Sequence, residues 1–188
     1  LWYLRGVREM ADGEPARAGE SWRRSLAISD TYLLPVLRRA APSFDPEEMV
    51  ARVLPDDPHQ LATAADVLFP DPADAARRRP FLERAVALLH RPGGAARPED
   101  YVLRARLNRA LDRLNDAVDD YQIALAREPA RAEWRYEMAT ALLAQGRPAE
   151  ADRELQTILR ADPRHAEARK LAQDLSRAGK PAKDRPSP

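Results

Sequence analysis

A chain of 188 residues that is 44% hydrophobic and 32% charged has the composition of a folded domain, not of a disordered segment. Its formal net charge of +1 supplies no global field for binding nucleic acid or a membrane, and the absence of cysteine excludes disulfides and thiolate metal sites. Only 6% of residues are aromatic, Ala, Leu, Arg and Glu dominate, and no β-branched run of strand length occurs, so the expected fold class is all-α.

The chain opens on Leu1-Trp2-Tyr3, without an initial methionine and already inside a helical pattern, so it is expected to be a piece of a longer protein. A first helix from Trp2 meets a break at Asp12-Gly13-Glu14-Pro15, and a second runs through Ala18, Trp22, Ser25 and Leu26 to Asp30. Tyr32, Leu33, Val36, Leu37 and Ala40 then make a short apolar stripe. Asp45-Pro46-Glu47-Glu48 reads as an N-cap, a first-turn proline and a capping glutamate ahead of Met49, Val50, Val53 and Leu54. Asp57-Pro58 repeats the start signal before Leu61, Ala64, Ala65, Leu68 and Phe69. Phe81, Leu82, Ala85, Val86, Leu88 and Leu89 form the next stripe, with Pro80 near its start. A long inserted loop is the rival reading of 31–97, but loops beyond about 15 residues are uncommon in compact domains and this stretch carries caps and stripes. Two degenerate helix pairs, 31–55 and 57–91, are therefore expected, with Pro92-Gly93-Gly94 as a flexible joint before Arg97-Pro98-Glu99.

Beyond the joint the chain repeats itself. Ala117, Tyr121, Ala124, Leu125, Glu128 and Pro129 recur 34 residues later as Ala151, Leu155, Ile158, Leu159, Asp162 and Pro163, and Tyr101, Val102 and Ala105 as Arg135, Tyr136 and Ala139. Trp134, Met138, Ala141 and Leu142 form the apolar stripe of one helix, Gln145-Gly146-Arg147-Pro148 breaks it, and Asp162-Pro163 ends the next. A final helix, 166–178, turns Ala168, Leu171, Ala172 and Leu175 inward, and 179–188 reads as a disordered tail.

These residues resemble the tetratricopeptide repeat. Residues 132–165 match it nearly position by position: small Ala139, turn glycine Gly146, close-contact Ala151, large apolar Leu155 and helix-ending Pro163. Residues 98–131 match through Ala105, Ala117, Tyr121, Ala124 and Pro129, but place Asp112 at the turn and Arg104 and Asn108 at usually apolar positions. Residues 1–30 match through Trp2, Gly6, Gly13, Ala18 and Trp22, with Arg5 and Glu9 at usually apolar positions. Ala18 and Ala117 lie 99 residues apart, close to a whole number of repeats. The resemblance implies an α–α superhelix: a solenoid of about five helix pairs over 1–178, capped by the charged outer face of the last helix.

Chemistry is sparse. His59, His90 and His165 are scattered, without partners at metal-ligand spacing, and read as solvated or capping groups. No catalytic or phosphate-loop motif is present, so neither an enzymatic activity nor a cofactor is expected. Trp2, Trp22 and Trp134 read as packing residues at repeat positions. Arg104, Arg106, Arg109 and Arg113 are followed by Asp112, Asp116, Asp119 and Asp120, which reads as a mixed-charge solvated surface and not as an RNA site. No stretch reaches the roughly 18 apolar residues of a membrane span, so no direct membrane insertion is expected within this segment.

In the family, first helices line a groove that holds a peptide or helix of a partner protein. Carried onto this chain, the resemblance implies a groove of Tyr3, Val7 and Met10, then Val102, Arg106 and Arg109, then Tyr136, Thr140 and Leu143. The lysine and asparagine that clamp a peptide carboxylate in some family members are missing here. The expected role is a protein-interaction scaffold. The alternative is a repeat domain appended to an upstream membrane-embedded or glycan-processing enzyme, and the compartment stays open between cytoplasm and attachment to a membrane protein.

Overall fold

The computed structural model describes residues 1–178; the tail assigned to 179–188 lies outside them. The described residues are α-helical without a strand, an all-α fold of the α–α superhelix kind. Chain contacts divide into two compact units, Leu1–Ala96 and Arg97–Pro188, and the boundary falls just after Pro92-Gly93-Gly94.

The first unit opens with a hairpin of α1 (Trp2–Ala11) and α2 (Pro15–Ile28). They approach closely at Gly6, where an added Cβ would lie 2.5 Å from the buried Trp22 indole. No side chain fits there without moving the ring. A 3₁₀ turn, Asp30–Tyr32, leads into α3 (Leu33–Ala40), whose Leu33, Val36, Leu37 and Ala40 are buried as one stripe. The Asp45–Glu48 capping box then starts α4 (Pro46–Glu48), which continues directly as a π-helical turn, Met49–Val53. Helix α5 (Pro58–Leu68) is capped by Asp57, whose carboxylate accepts from the amides of His59 and Gln60. A 3₁₀ turn, Pro72–Asp74, precedes α6 (Ala75–His90).

Residues 31–97 are therefore mainly helical, as the caps predicted, but they depart from even pairing. Helices α5 and α6 form a true pair, whereas the main partner of the π-helical turn is α2 and that of α3 is α5. A short α3 of eight residues explains the departure, because two turns bury too little apolar surface to hold a hairpin partner alone. All three phenylalanines, Phe44, Phe69 and Phe81, line a half-open cavity of about 430 Å³ between the 41–46 loop, α5 and α6.

The second unit is regular. Helices α7 (Pro98–Ala110), α8 (Leu114–Arg127), α9 (Ala132–Ala144), α10 (Pro148–Ala161) and α11 (Ala166–Ala178) each pack on the next. The stripes named from sequence are buried: Trp134, Met138, Ala141 and Leu142 on α9, Ala151, Leu155 and Ile158 on α10, and Ala168 and Ala172 on α11. The turns inside the α1–α2, α7–α8 and α9–α10 pairs each hold one left-handed residue, Gly13 (φ 78°), Asp112 (φ 60°) and Gly146 (φ 71°). Asp112 replaces the turn glycine at little strain, since aspartate is among the few side chains that enter this region readily.

Candidate functional site

The face shared by α7 and α9 carries most of the polar organisation of the second unit. Arg106 on α7 reaches across to Glu137 on α9 with two parallel hydrogen bonds, 2.8 Å and 2.6 Å. The Tyr121 hydroxyl, rising from α8, donates to the same carboxylate at 2.8 Å. Next to this pair, Arg109 donates to Thr140 Oγ1 at 3.1 Å, and Thr140 donates in turn to the Glu137 carbonyl at 2.7 Å.

Burial alone would push the Glu137 carboxyl up, but the hydrogen bonds of Arg106 and Tyr121, with the charges of Arg106 and Arg109, outweigh it and hold the group below its ordinary value. Glu137 is ionised at neutral pH and fixes both donors. Burial raises the Tyr121 phenol, so Tyr121 stays a donor. Both arginines are exposed, but the bond of Arg109 is to a neutral hydroxyl instead of a carboxylate.

Two further candidates flank this centre. Tyr136, assigned to the groove from the sequence, is half-buried and stacks on His165 with ring centroids 6.2 Å apart. The cause is the loop before α11. His165 Nδ1 accepts from the Ala168 amide at 3.3 Å, capping α11 and setting the imidazole against the phenol. Leu143 is half-buried against the core of the unit. Val102 departs most from its assigned role. It is only 2% exposed and packs into the core, so it presents nothing to a ligand.

The first-unit candidates lie on the side of α1 that meets α3 and the loop after it. Tyr3 stacks flat on Tyr32 at 4.4 Å with Arg39 over its ring, and Met10 Sδ lies 3.8 Å from the Ser43 hydroxyl. Val7 is half-buried on the same helix. The assigned groove residues thus fall on two separate sets of helices, one in each unit.

A second network was invisible as such in the sequence. Asp120, read there as part of a solvated face, is 4% exposed. It receives Arg104 Nε at 3.0 Å on both oxygens and Asn108 Nδ2 at 3.1 Å. The first hairpin uses the same three positions 99 residues earlier with the carboxylate on the first helix instead of the second, Glu9 receiving Ser21 Oγ from α2 at 2.6 Å and Arg5 Nε from its own helix at 2.8 Å. The Ser21 hydrogen bond chiefly, with Arg5, lowers the Glu9 pKa. Polar residues at usually apolar positions are therefore paired across the two helices of each hairpin. The available signal was the joint displacement of both members of each set from the family pattern. The hydrophobic reading of Trp22 and Trp134 holds, since both are buried, whereas Trp2 lies between the guanidinium groups of Arg5 and Arg24 at 5.2 Å and 4.9 Å.

With this geometry in place, the chain can be compared with known proteins. The tetratricopeptide repeat model matches residues 108–175. Residues 108–175 belong to the tetratricopeptide-repeat family. The chain also resembles the crystal structure of MamA, with a TM-score of 0.51 at 15% identity over 92% of this chain and 83% of that one. It likewise resembles a chain in the crystal structure of the APC/C hetero-tetramer Cut9–Hcn1, with a TM-score of 0.52 at 16% identity over 93% of this chain and 35% of that one. At such identities the likeness is one of fold. None of the curated proteins matches the sequence. The tetratricopeptide fold is that of a protein-interaction scaffold, generally without catalysis of its own. Among the described residues, no helix is long and apolar enough to cross a membrane.

Proposed function

We propose that the tetratricopeptide repeats of this chain hold a peptide or helix of a partner protein on the α7–α9 face, in a groove of Arg106, Arg109, Tyr136, Thr140 and Leu143. Tyr3, Val7 and Met10 are the corresponding positions of the first unit. The observation that carries the reading is the state of Arg109. Its neighbour Arg106 is neutralised by two bonds to Glu137, while Arg109 is oriented by Thr140 yet keeps its charge exposed. A cation positioned at the surface without a carboxylate suits recognition better than folding. The Cut9–Hcn1 likeness adds a precedent, a protein of the same fold found in a hetero-tetramer.

Arg109→Ala combined with Tyr136→Ala tests this. The stack on His165 makes Tyr136 a modest contributor to folding, so the pair is expected to lower stability by about 1 kcal/mol. Capture of partners from lysate should fall at least about tenfold in mass-spectrometric intensity, equivalent to about 1.4 kcal/mol. Equal capture by both forms would reject the groove.

A further inference from the structure

The first unit gathers three arginines around one carboxylate. Arg84 Nη2 lies 2.7 Å from each oxygen of Asp56, Arg23 Nη2 lies 3.3 Å from Oδ1, and Arg91 Nη1 lies 4.0 Å from Oδ2. Arg23 also donates to the Ala51 carbonyl at the π-helical turn. The three cations come from α2, α6 and the end of α6, and all are partly exposed, Arg91 most at 55%.

The local charge does not cancel. Asp56 offsets one of the three guanidinium groups. The adjacent Asp57 is committed to the amides of His59 and Gln60 at the start of α5, where the helix N-terminus offsets part of its charge. Glu83, next to Arg84 in sequence, pairs with Arg79 at 2.9 Å. The charges that act on Asp56 are those of Arg84, Arg23 and Arg91, and with the Arg84 hydrogen bond first among the causes they lower its pKa. Among the described residues, Arg84 uses only Nη2 on the protein, and the Arg91 guanidinium makes no hydrogen bond at all. Forked N–H donors on weakly hydrated cations are what tetrahedral oxyanions bind best.

We propose that Arg84, Arg91 and Arg23 form a binding site for a phosphate-type dianion, with Asp56 holding Arg84 in place for it. The site lies on the first unit, apart from the α7–α9 face. Asp56 plays two opposed parts: its oxygen orients Arg84, and its charge competes with the ligand. That opposition gives a test with a distinctive sign.

The probe is inorganic phosphate, titrated by calorimetry at constant ionic strength against chloride, with folding of every variant checked by circular dichroism. The wild type is expected to bind in roughly the millimolar range. Arg91→Gln should weaken binding at least about threefold by removing one cation. Asp56→Asn keeps an Oδ1 acceptor for Arg84 but drops the competing charge, and should tighten binding at least about threefold. The proposal is overturned if the wild type shows no phosphate heat. It is overturned equally if only Asp56→Asn binds, since Asp56 would then itself be the anion, or if Arg91→Gln binds as well as the wild type.

Discussion

Replacing Ala151 with arginine is expected to unfold the α9–α10 hairpin. Ala151 is fully buried where α10 lies against α9, beside a cluster that includes Met138, Leu142 and Leu155. A residue with only a methyl side chain lets two helices approach closely, and an arginine there must either displace α10 or bury an unpaired charge. Overpacking a tight core costs about 1–3 kcal/mol, and an uncompensated buried charge adds several more. Total stability of a small domain is about 5–15 kcal/mol, so Ala151→Arg removes a large fraction of it. Chemical denaturation should show a loss of at least about 4 kcal/mol, with α9 and α10 amides losing protection first. An unchanged denaturation midpoint would mean that Ala151 does not face α9.

Asp120→Ala is the second large effect. The substitution removes the carboxylate that Arg104 and Asn108 share inside the α7–α8 hairpin, and the Arg104 side chain is only 12% exposed. Removing one member of a buried ion pair typically costs about 3–5 kcal/mol, because the remaining charge stays desolvated. An arginine does not deprotonate near neutral pH, so the guanidinium cannot escape the penalty by losing its proton. In the double variant Arg104→Met with Asp120→Leu, the first change copies Met138 of the next repeat and the second removes the charge left opposite it, so part of the loss should be recovered. A double-mutant cycle by urea denaturation measures both. If the single substitution costs under about 1 kcal/mol, the pair is hydrated and not buried.

The regular half of the fold was legible because its signals were local and repeated. Trp134, Met138 and Leu142 fall at helical spacing, Gly146 and Pro148 mark the turn, and Ala151 and Leu155 continue the pattern 34 residues after Ala117 and Tyr121. The caps at Asp45 and Asp57 were legible for the same reason, since each side chain bonds to backbone within three residues. What the sequence did not show is long-range. Asp120 looks like a surface acid until α7 brings Arg104 and Asn108 onto it, and Asp56 looks like a cap residue until α2 and α6 bring Arg23 and Arg84.

The candidate groove divides in the same way. Arg109 and Thr140, assigned through the repeat resemblance, lie exposed and half-buried on α7 and α9. The burial of Val102 and the stacking of Tyr136 depend on the packing of α7 into the core and on the path of the chain before α11. Glu137 was overlooked as a groove residue because a lone glutamate on a helix carries no signal until Arg106 and Tyr121 converge on it.

The central claim is that partners sit on the α7–α9 face, and site-directed photo-crosslinking in the full chain tests it most directly. A photoreactive amino acid at Thr140 lies in the proposed groove, whereas the same group at Gln156 lies on the exposed surface of α10. Neither position is in the core, so both variants should fold. The groove predicts adducts with a partner protein from position 140 and none from position 156. Adducts from position 156 alone would contradict it and place the interaction on α10.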